Sequence, residues 1–373
     1  MERGNFAFLA HRIESWNWLL NFRVFDHLHR RPEFHWFWLW LWPLYAIVSL
    51  TQIFGRKGFD TVDEFEFAGM KSQTILLRNY AWHFMFGRIR KTIKLRILKT
   101  VLSIQKENRV IGLGALAKAE WLTKGGQWIV EKLGDKLKAA LIHGDTLTAA
   151  TCLKQVNALI KKYQLNTAIF ITGATSKIGR AIVLTLAKSR IYVKMYTKSE
   201  ERFLTIKEEA GESGRYIIMA TSLKEGRDCQ IWLTGKSKPA GRSLLKAIPK
   251  GAVVVNFSVP NPLGENNERP RKDLLVIDGG LLAYDPSVTD LRFTMRLRPG
   301  LTYSCHAATA VHSYKGWTHH EVGSVNLKML QPVWEAALEI GFFLPSIPEP
   351  ATKSVKKPFS FLRLATKAAS WLF

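Results

Sequence analysis

Thr167-Ala168-Ile169-Phe170-Ile171-Thr172-Gly173-Ala174-Thr175-Ser176-Lys177-Ile178-Gly179-Arg180-Ala181-Ile182 decides the fold of this chain. An apolar, β-rich run from Thr167 to Ile171 enters a turn of small residues. A helical pattern then runs from about Lys177 to Lys188. Strand, small-residue turn and helix in this order can set a pyrophosphate against the free N–H groups of a helix N-terminus. The spacing is Gly173-x-x-Ser176-x-x-Gly179, with serine where a fuller pattern has its middle glycine. Glycine spacing alone also fits a tight turn that holds nothing. Gly173, Thr175, Ser176, Lys177, Ile178 and Gly179 are the candidate cofactor-binding residues of this turn.

Outward from this unit, strands and helices alternate. Ile191 to Tyr196, Tyr216 to Met219, Cys229 to Leu233, Ala252 to Asn256 and Leu274 to Ile277 are short apolar runs of strand type. Upstream, Val110 to Leu113, Trp128 to Val130 and Leu137 to Ile142 also read as strands. His143-Gly144-Asp145-Thr146 reads as a turn, with Asp145 as N-cap of a helix reaching about Lys162. This alternation predicts an α/β fold. A Rossmann-like, doubly wound parallel sheet is expected over 166–344, with a smaller α/β substrate region over 108–165. The second strand of the doubly wound unit indicates the cofactor. Lys198, Ser199 and Arg202 follow it, and cations there suit the 2′-phosphate of NADPH, where NAD would call for a carboxylate. Both cations also fit a plain solvated surface.

Residues 1–107 have another character. Phe34 to Phe54, FHWFWLWLWPLYAIVSLTQIF, has no charged residue and about the length that crosses a bilayer as a helix, roughly 20 residues. Trp36, Trp38, Trp40 and Trp42 favour the headgroup region, and Pro43 would kink a helix. A span and an interfacial hairpin therefore both stand, ahead of a buried helix. Over 86–106, Ile89, Ile93, Ile97, Val101 and Ile104 share one helix face. Arg88, Arg90, Lys91, Lys94, Arg96 and Lys99 crowd the rest. Such a helix fits an anionic membrane surface, or packs on the protein's own core. A basic, aromatic tail over 345–373 repeats the theme. The region 1–107 is read as a helical, membrane-associated segment, with the catalytic body facing the cytoplasm, at the endoplasmic reticulum in a eukaryote.

The formal net charge is +24, so anionic partners are expected. No nucleic-acid-binding signature accompanies the charge, and the basic residues sit beside lipid-like clusters, so nucleic acid is set aside for membrane lipids. Three cysteines without a CxxC pair suggest neither a disulfide framework nor a zinc site. No metal site is assigned.

One cysteine stands out, in Tyr303-Ser304-Cys305-His306-Ala307-Ala308-Thr309-Ala310-Val311-His312-Ser313-Tyr314-Lys315-Gly316-Trp317. Further on come His319-His320-Glu321-Val322-Gly323, Val333-Trp334-Glu335-Ala336-Ala337 and Gly341-Phe342. Together with His143 to Ala150 and Thr172 to Ile182, these motifs resemble, in order, the C-terminal domain of the plant very-long-chain aldehyde decarbonylase (eceriferum/wax2) family. The resemblance covers roughly residues 34–344. More distantly the same motifs look like the cyanobacterial long-chain acyl-acyl-carrier-protein reductases, whose Asp-Gly-Gly strand end is matched by Asp278-Gly279-Gly280. Ser176 departs from the glycine of those reductases. The histidine clusters of the plant family's hydroxylase-like domain have no counterpart among the ten histidines of this chain.

The reductase resemblance implies that Cys305 forms an acyl-enzyme with a long-chain acyl-CoA or acyl-ACP, which hydride from NADPH would release as fatty aldehyde. His306 and His312 are the candidate proton carriers. A thiolate is the effective nucleophile, and the helix start expected near Ala307 would lower the thiol pKa. His319, His320 and Glu321 read better as a hydrogen-bonded cluster than as metal ligands. A short-chain dehydrogenase is disfavoured because Tyr284 has no lysine four residues on. The expected function is thus a membrane-associated, NADPH-dependent acyl thioester reductase in wax or hydrocarbon synthesis. The alternative is a non-catalytic, Rossmann-like partner that binds acyl chains or a separate, metal-dependent aldehyde decarbonylase/hydroxylase-like protein.

Overall fold

The computed structural model describes residues 4–12, 58–165, 167–235, 241–259, 271–287 and 297–347, with residues 43, 47, 50–53, 55, 261 and 263 between them. A first sheet contains β1 (Phe6–Arg12), β2 (Phe59–Phe67), β3 (Met70–Tyr80), β4 (Val110–Leu113) and β5 (Ala140–Ile142). Its order is β2-β3-β1-β4-β5. β2 is antiparallel to β3, and the other neighbours are parallel. β1 is buried from Phe6 to Ala10, as a strand at the middle of a covered sheet must be.

These strands correct the expected helical, membrane-associated N-terminal segment. Three strands before residue 81 join two from 108–165 in one sheet. Most of 34–54 lies outside the described residues, as does the tail from 348 on. Among the described residues no helix is long and apolar enough to cross a membrane.

Helix α1 (Gly87–Ile104) shows where the basic amphipathic pattern goes. Ile93, Ile97, Val101 and Ile104 are buried and share a core with Ala7, Leu9, Ile75, Leu77, Ile111 and Leu113 of the sheet. The apolar face therefore packs on the protein itself, which corrects the expectation that this isoleucine face meets lipid. Two short helices follow, α2 (Glu120–Thr123) and α3 (Gln127–Leu133). Trp128 to Val130, expected as a strand, is helical because Ile129 and Leu133, one turn apart, bury the same face.

Helix α4 (Asp145–Tyr163) leads from the first sheet to the second. The second sheet holds β6 (Ile169–Thr172), β7 (Val193–Tyr196), β8 (Ile217–Ala220), β9 (Ile231–Thr234), β10 (Val253–Asn256) and β11 (Leu275–Asp278). The order is β11-β10-β9-β6-β7-β8, and every neighbouring pair is parallel. The strand order reverses between β6 and β9, as in a doubly wound sheet. Among the described residues, α5 (Lys177–Lys188), α6 (Glu200–Glu209) and α7 (Gly241–Ala247) connect its strands. The Rossmann-like part of the expected fold is therefore present. A small antiparallel pair, β12 (Leu281–Ala283) and β13 (Leu301–Tyr303), then feeds α8 (Ser304–Tyr314), and α9 (Leu330–Glu339) follows. α8 packs on α4, β4 and β1, so the chain returns to its first sheet.

Replacing Ile97 by Ala separates the core role of α1 from a purely lipid-facing one. A core position predicts a loss of about 3 kcal/mol in chemical denaturation without any lipid present. A lipid-facing position predicts no change.

Candidate functional site

The site forms where β5 ends. Ile142 is followed by His143, then by Gly144 in the left-handed region at φ 67°, then by Asp145 at the start of α4. A Cβ on Gly144 would lie 2.6 Å from Cys305 Cα, so only glycine lets the helix start of α8 approach this turn. Beside β5 runs the strand-like segment of Glu321. The His143 N–H donates to Glu321 O at 2.9 Å, and the Glu321 N–H donates to Leu141 O at 2.9 Å.

Four ionisable side chains meet there. Lys118 Nζ pairs with Asp145 Oδ1 at 2.6 Å and donates to His143 O at 2.7 Å. His143 Nδ1 lies 2.8 Å from Glu321 Oε1. The Thr146 N–H donates to the same oxygen at 3.3 Å. Asp145 is the first helical residue rather than the expected side-chain cap, because its carboxylate is committed to Lys118.

Burial and pairing set the charges. Burial opposes the Lys118 ammonium, but the Asp145 carboxylate and the Cys305 sulfur outweigh it and hold Lys118 above its ordinary value. Burial likewise opposes Glu321, yet His143 pulls it down to about 2. His143 is raised because Asp145 and Glu321 outweigh its burial. The Lys118–Asp145 ion pair and the His143–Glu321 contact thus lie side by side in the interior.

The structure separates the three sequence-selected residues. Cys305 sits at the start of α8, partly accessible, against Phe8, Ala10 and Leu76. Burial pushes its thiol up, with Lys118 pulling the other way, so the expected lowering at a helix start is reversed. His306 points elsewhere. Its ring stacks on Phe8 at 4.6 Å and meets the edge of Phe65 at 6.0 Å, and burial brings its pKa to about 4. His312 lies at the far end of the cluster, with Nε2 3.9 Å from Glu321 Oε2. It lines a cavity of about 180 Å³ together with Trp317, His319, His320, Glu321 and Met329. His320 Nδ1 accepts from the Leu141 N–H at 3.1 Å.

Sequence reasoning missed Lys118, which carries no motif. It saw Glu321 only as part of a structural cluster. The signal for Glu321 lay in its pairing with the His143 turn, which spacing does not reveal. Among the described residues no group of His, Cys, Asp and Glu is arranged to hold a metal ion.

The glycine turn is placed at the strand-order switch. A Cβ on Gly173 would lie 2.8 Å from Gly235 backbone carbon, and one on Gly179 would lie 2.2 Å from Gly173 O. Ser176 caps α5, its Oγ accepting from the Gly179 N–H at 3.1 Å. Thr175 and Ile178 are half-buried in the same turn. Lys177 Nζ reaches Glu120 Oε2 at 2.6 Å, tying the turn to the first sheet's side of the molecule. Ser199 caps α6 by accepting from the Arg202 N–H at 3.3 Å, while Lys198 and Arg202 are exposed.

Comparison with known proteins then defines the kinship. The profile of the family described as CER1-like, C-terminal domain matches residues 169–345. The chain is 32% identical over 283 residues to very-long-chain aldehyde decarbonylase GL1-2 of Oryza sativa, covering 75% of this chain and 43% of that protein. It is 33% identical over 276 residues to rice very-long-chain aldehyde decarbonylase GL1-1, covering 73% of this chain and 42% of that protein. The chain thus spans less than half the length of these curated relatives. Among solved structures, L-tryptophan dehydrogenase from Nostoc punctiforme aligns at a TM-score of 0.42 and 9% identity, over 90% of this chain and 79% of that one. A likeness that weak says nothing of function.

These relatives overturn the expected activity. They are named for decarbonylating an aldehyde, whereas the expected enzyme would form one from an acyl thioester. The NADPH-dependent acyl reductase assignment is withdrawn, and NADPH with it. A doubly wound sheet hosts many functions, so its presence does not restore the cofactor.

Three measurements check the electrostatics. Lys118→Met leaves Asp145 buried without its cation, and should cost about 3 kcal/mol in denaturation. It should also shift the pH dependence of Cys305 alkylation upward, since Lys118 favours the thiolate. His306 and His312 have folded pKa values of about 4 against 6.5. The unfolded chain therefore takes up their protons first, and stability should fall between pH 6.5 and about 4. Glu321, lowered to about 2 from 4.5, contributes stability above 4.5 that is lost further down. In His306→Leu the slope between pH 6.5 and 4 should drop by up to about 1.4 kcal/mol per pH unit.

Proposed function

Because the chain carries a CER1-like C-terminal domain over 169–345, we propose that it is a non-catalytic, Rossmann-like partner in wax and hydrocarbon lipid synthesis. In this reading it holds a long-chain aldehyde for a separate hydroxylase-like decarbonylase. The match to proteins named very-long-chain aldehyde decarbonylases carries the reading.

The buried cluster supplies a means of holding an aldehyde group. The Cys305 thiol lies among Phe8, Ala10 and Leu76, which suit the first carbons of an alkyl chain. Addition of the thiol to an aldehyde forms a sulfur–carbon bond and moves the thiol proton to oxygen. The product is a hemithioacetal, and the step is reversible without oxidant or reductant. Lys118 is close enough to act electrostatically on Cys305, and an ammonium there favours negative charge developing on oxygen. A raised thiol pKa suits reversible capture more than permanent acylation.

Carbon-13 NMR of a 1-labelled long-chain aldehyde tests this. The bound carbon should move from the carbonyl region to that of a hemithioacetal, and Cys305→Ala should abolish the shifted signal. Co-expression with a hydroxylase-like decarbonylase should raise alkane output above that of the partner alone. Unchanged output, together with no aldehyde binding by the native chain, would remove the partner reading.

A further inference from the structure

The outward side of α1 is a surface that neither the core nor the Cys305 cluster uses. From Gly87 to Ile104 it carries no acidic residue, and Arg88, Lys91 and Lys99 on it are exposed. Large apolar side chains stand out beside these cations. Met85 is 66% exposed, Phe86 54%, Leu95 58% and Trp121 47%. Single exposed apolar residues are ordinary on a protein surface; several beside a helix that carries only basic charge are less so.

Contacts link several of these groups at the N-terminal end of the helix. The Arg90 guanidinium lies 4.8 Å from the Trp121 ring centroid, and it also donates to Phe84 O and Met85 O. Lys94 Nζ lies 4.5 Å from the Trp128 ring. Phe86 meets Trp82 edge-on at 5.5 Å. Arg96 donates to Gln52 O and Ile53 O at 2.6 Å and to Gly55 O at 2.8 Å. These bonds tie the end of the charge-free 34–54 run to the same helix. Ile47 and Leu50 of that run are 60% and 50% exposed.

We propose that Met85, Phe86, Leu95 and Trp121, with Arg88, Arg90, Lys91 and Lys94, dock the chain on an anionic phospholipid bilayer. The apolar tips enter the headgroup boundary while the cations meet lipid phosphates and carboxylates. An anionic bilayer answers both halves of the surface, whereas a nucleic acid would leave Met85, Phe86 and Leu95 in water. The docking side chains stand at the N-terminal end and on the exposed flanks of α1, clear of the buried isoleucines that the sheet covers. This proposal is independent of what the Cys305 cluster binds.

Sedimentation of the full chain with vesicles tests it. Phosphatidylcholine vesicles with roughly 30 mol % phosphatidylserine should bind the chain, pure phosphatidylcholine far less, and added salt should weaken the binding. Arg88→Gln with Lys91→Gln should lower the partition about 30-fold at low salt. Phe86→Ser with Trp121→Ser should lower it at least about tenfold, also when salt has screened the charges. Lys224→Gln with Arg227→Gln removes the same charge from an exposed site on the other sheet, and should change partition by less than about threefold. Thermal unfolding shows that each variant is folded. If the α1 variants bind as the native chain does, or lose no more than the Lys224/Arg227 variant, the surface is not the dock. Binding of duplex DNA without binding of anionic vesicles would equally overturn the proposal.

Discussion

The Lys118 ammonium joins three parts of the chain that are far apart in sequence. It follows the end of β4, accepts the pull of Asp145 at the start of α4, and donates to the His143 carbonyl at the end of β5. Through His143 the same network reaches Glu321, which the backbone pins alongside β5. A buried cation of this kind is tolerable only when its donors are filled, and filling them fixes the turn between β5 and α4. That turn sets Gly144 against Cys305. The position of the thiol is therefore a consequence of the charge pairing beneath it.

The same network explains why the thiol is not a strong nucleophile at rest. An isolated cation beside a cysteine lowers the thiol pKa. Here desolvation outweighs the pull of Lys118, and the Asp145 charge adds to the opposition to the thiolate. A helix start alone does not reverse those terms. Cys305 is thus a thiol beside a cation, with burial the stronger of the two influences on its protonation.

What could be read from sequence follows from what is local. The β6–turn–α5 unit was legible because strand, Gly173, Ser176 cap and Gly179 lie within a few residues, and each answers to a local constraint. The parallel order of the second sheet followed from alternation. β1 to β3 lie either side of a tryptophan-rich run whose lipid-like pattern masks them, and β1 is recognisable as a central strand only once its neighbours β3 and β4 are known. The isoleucine stripe of α1 was legible as a helix face, but a sheet and a lipid surface attract the same stripe. Only the tertiary core distinguishes them. Cys305 was found through its motif, while Lys118, lacking one, became visible only through its contacts.

The distance between fold and activity is greatest at the glycine turn. Gly173 and Gly179 have a sufficient reason for being glycine without any ligand. One touches the Gly235 backbone across the strand-order switch, and the other touches the carbonyl of Gly173. Ser176 has a reason too, since its hydroxyl caps α5. Small residues demanded by packing and by capping leave the same trace in a sequence as small residues demanded by a pyrophosphate. The Lys177–Glu120 pair gives the turn one further partner, on the side of the first sheet. A doubly wound sheet can therefore keep the outline of a dinucleotide fold with each small residue of its turn accounted for by packing or capping.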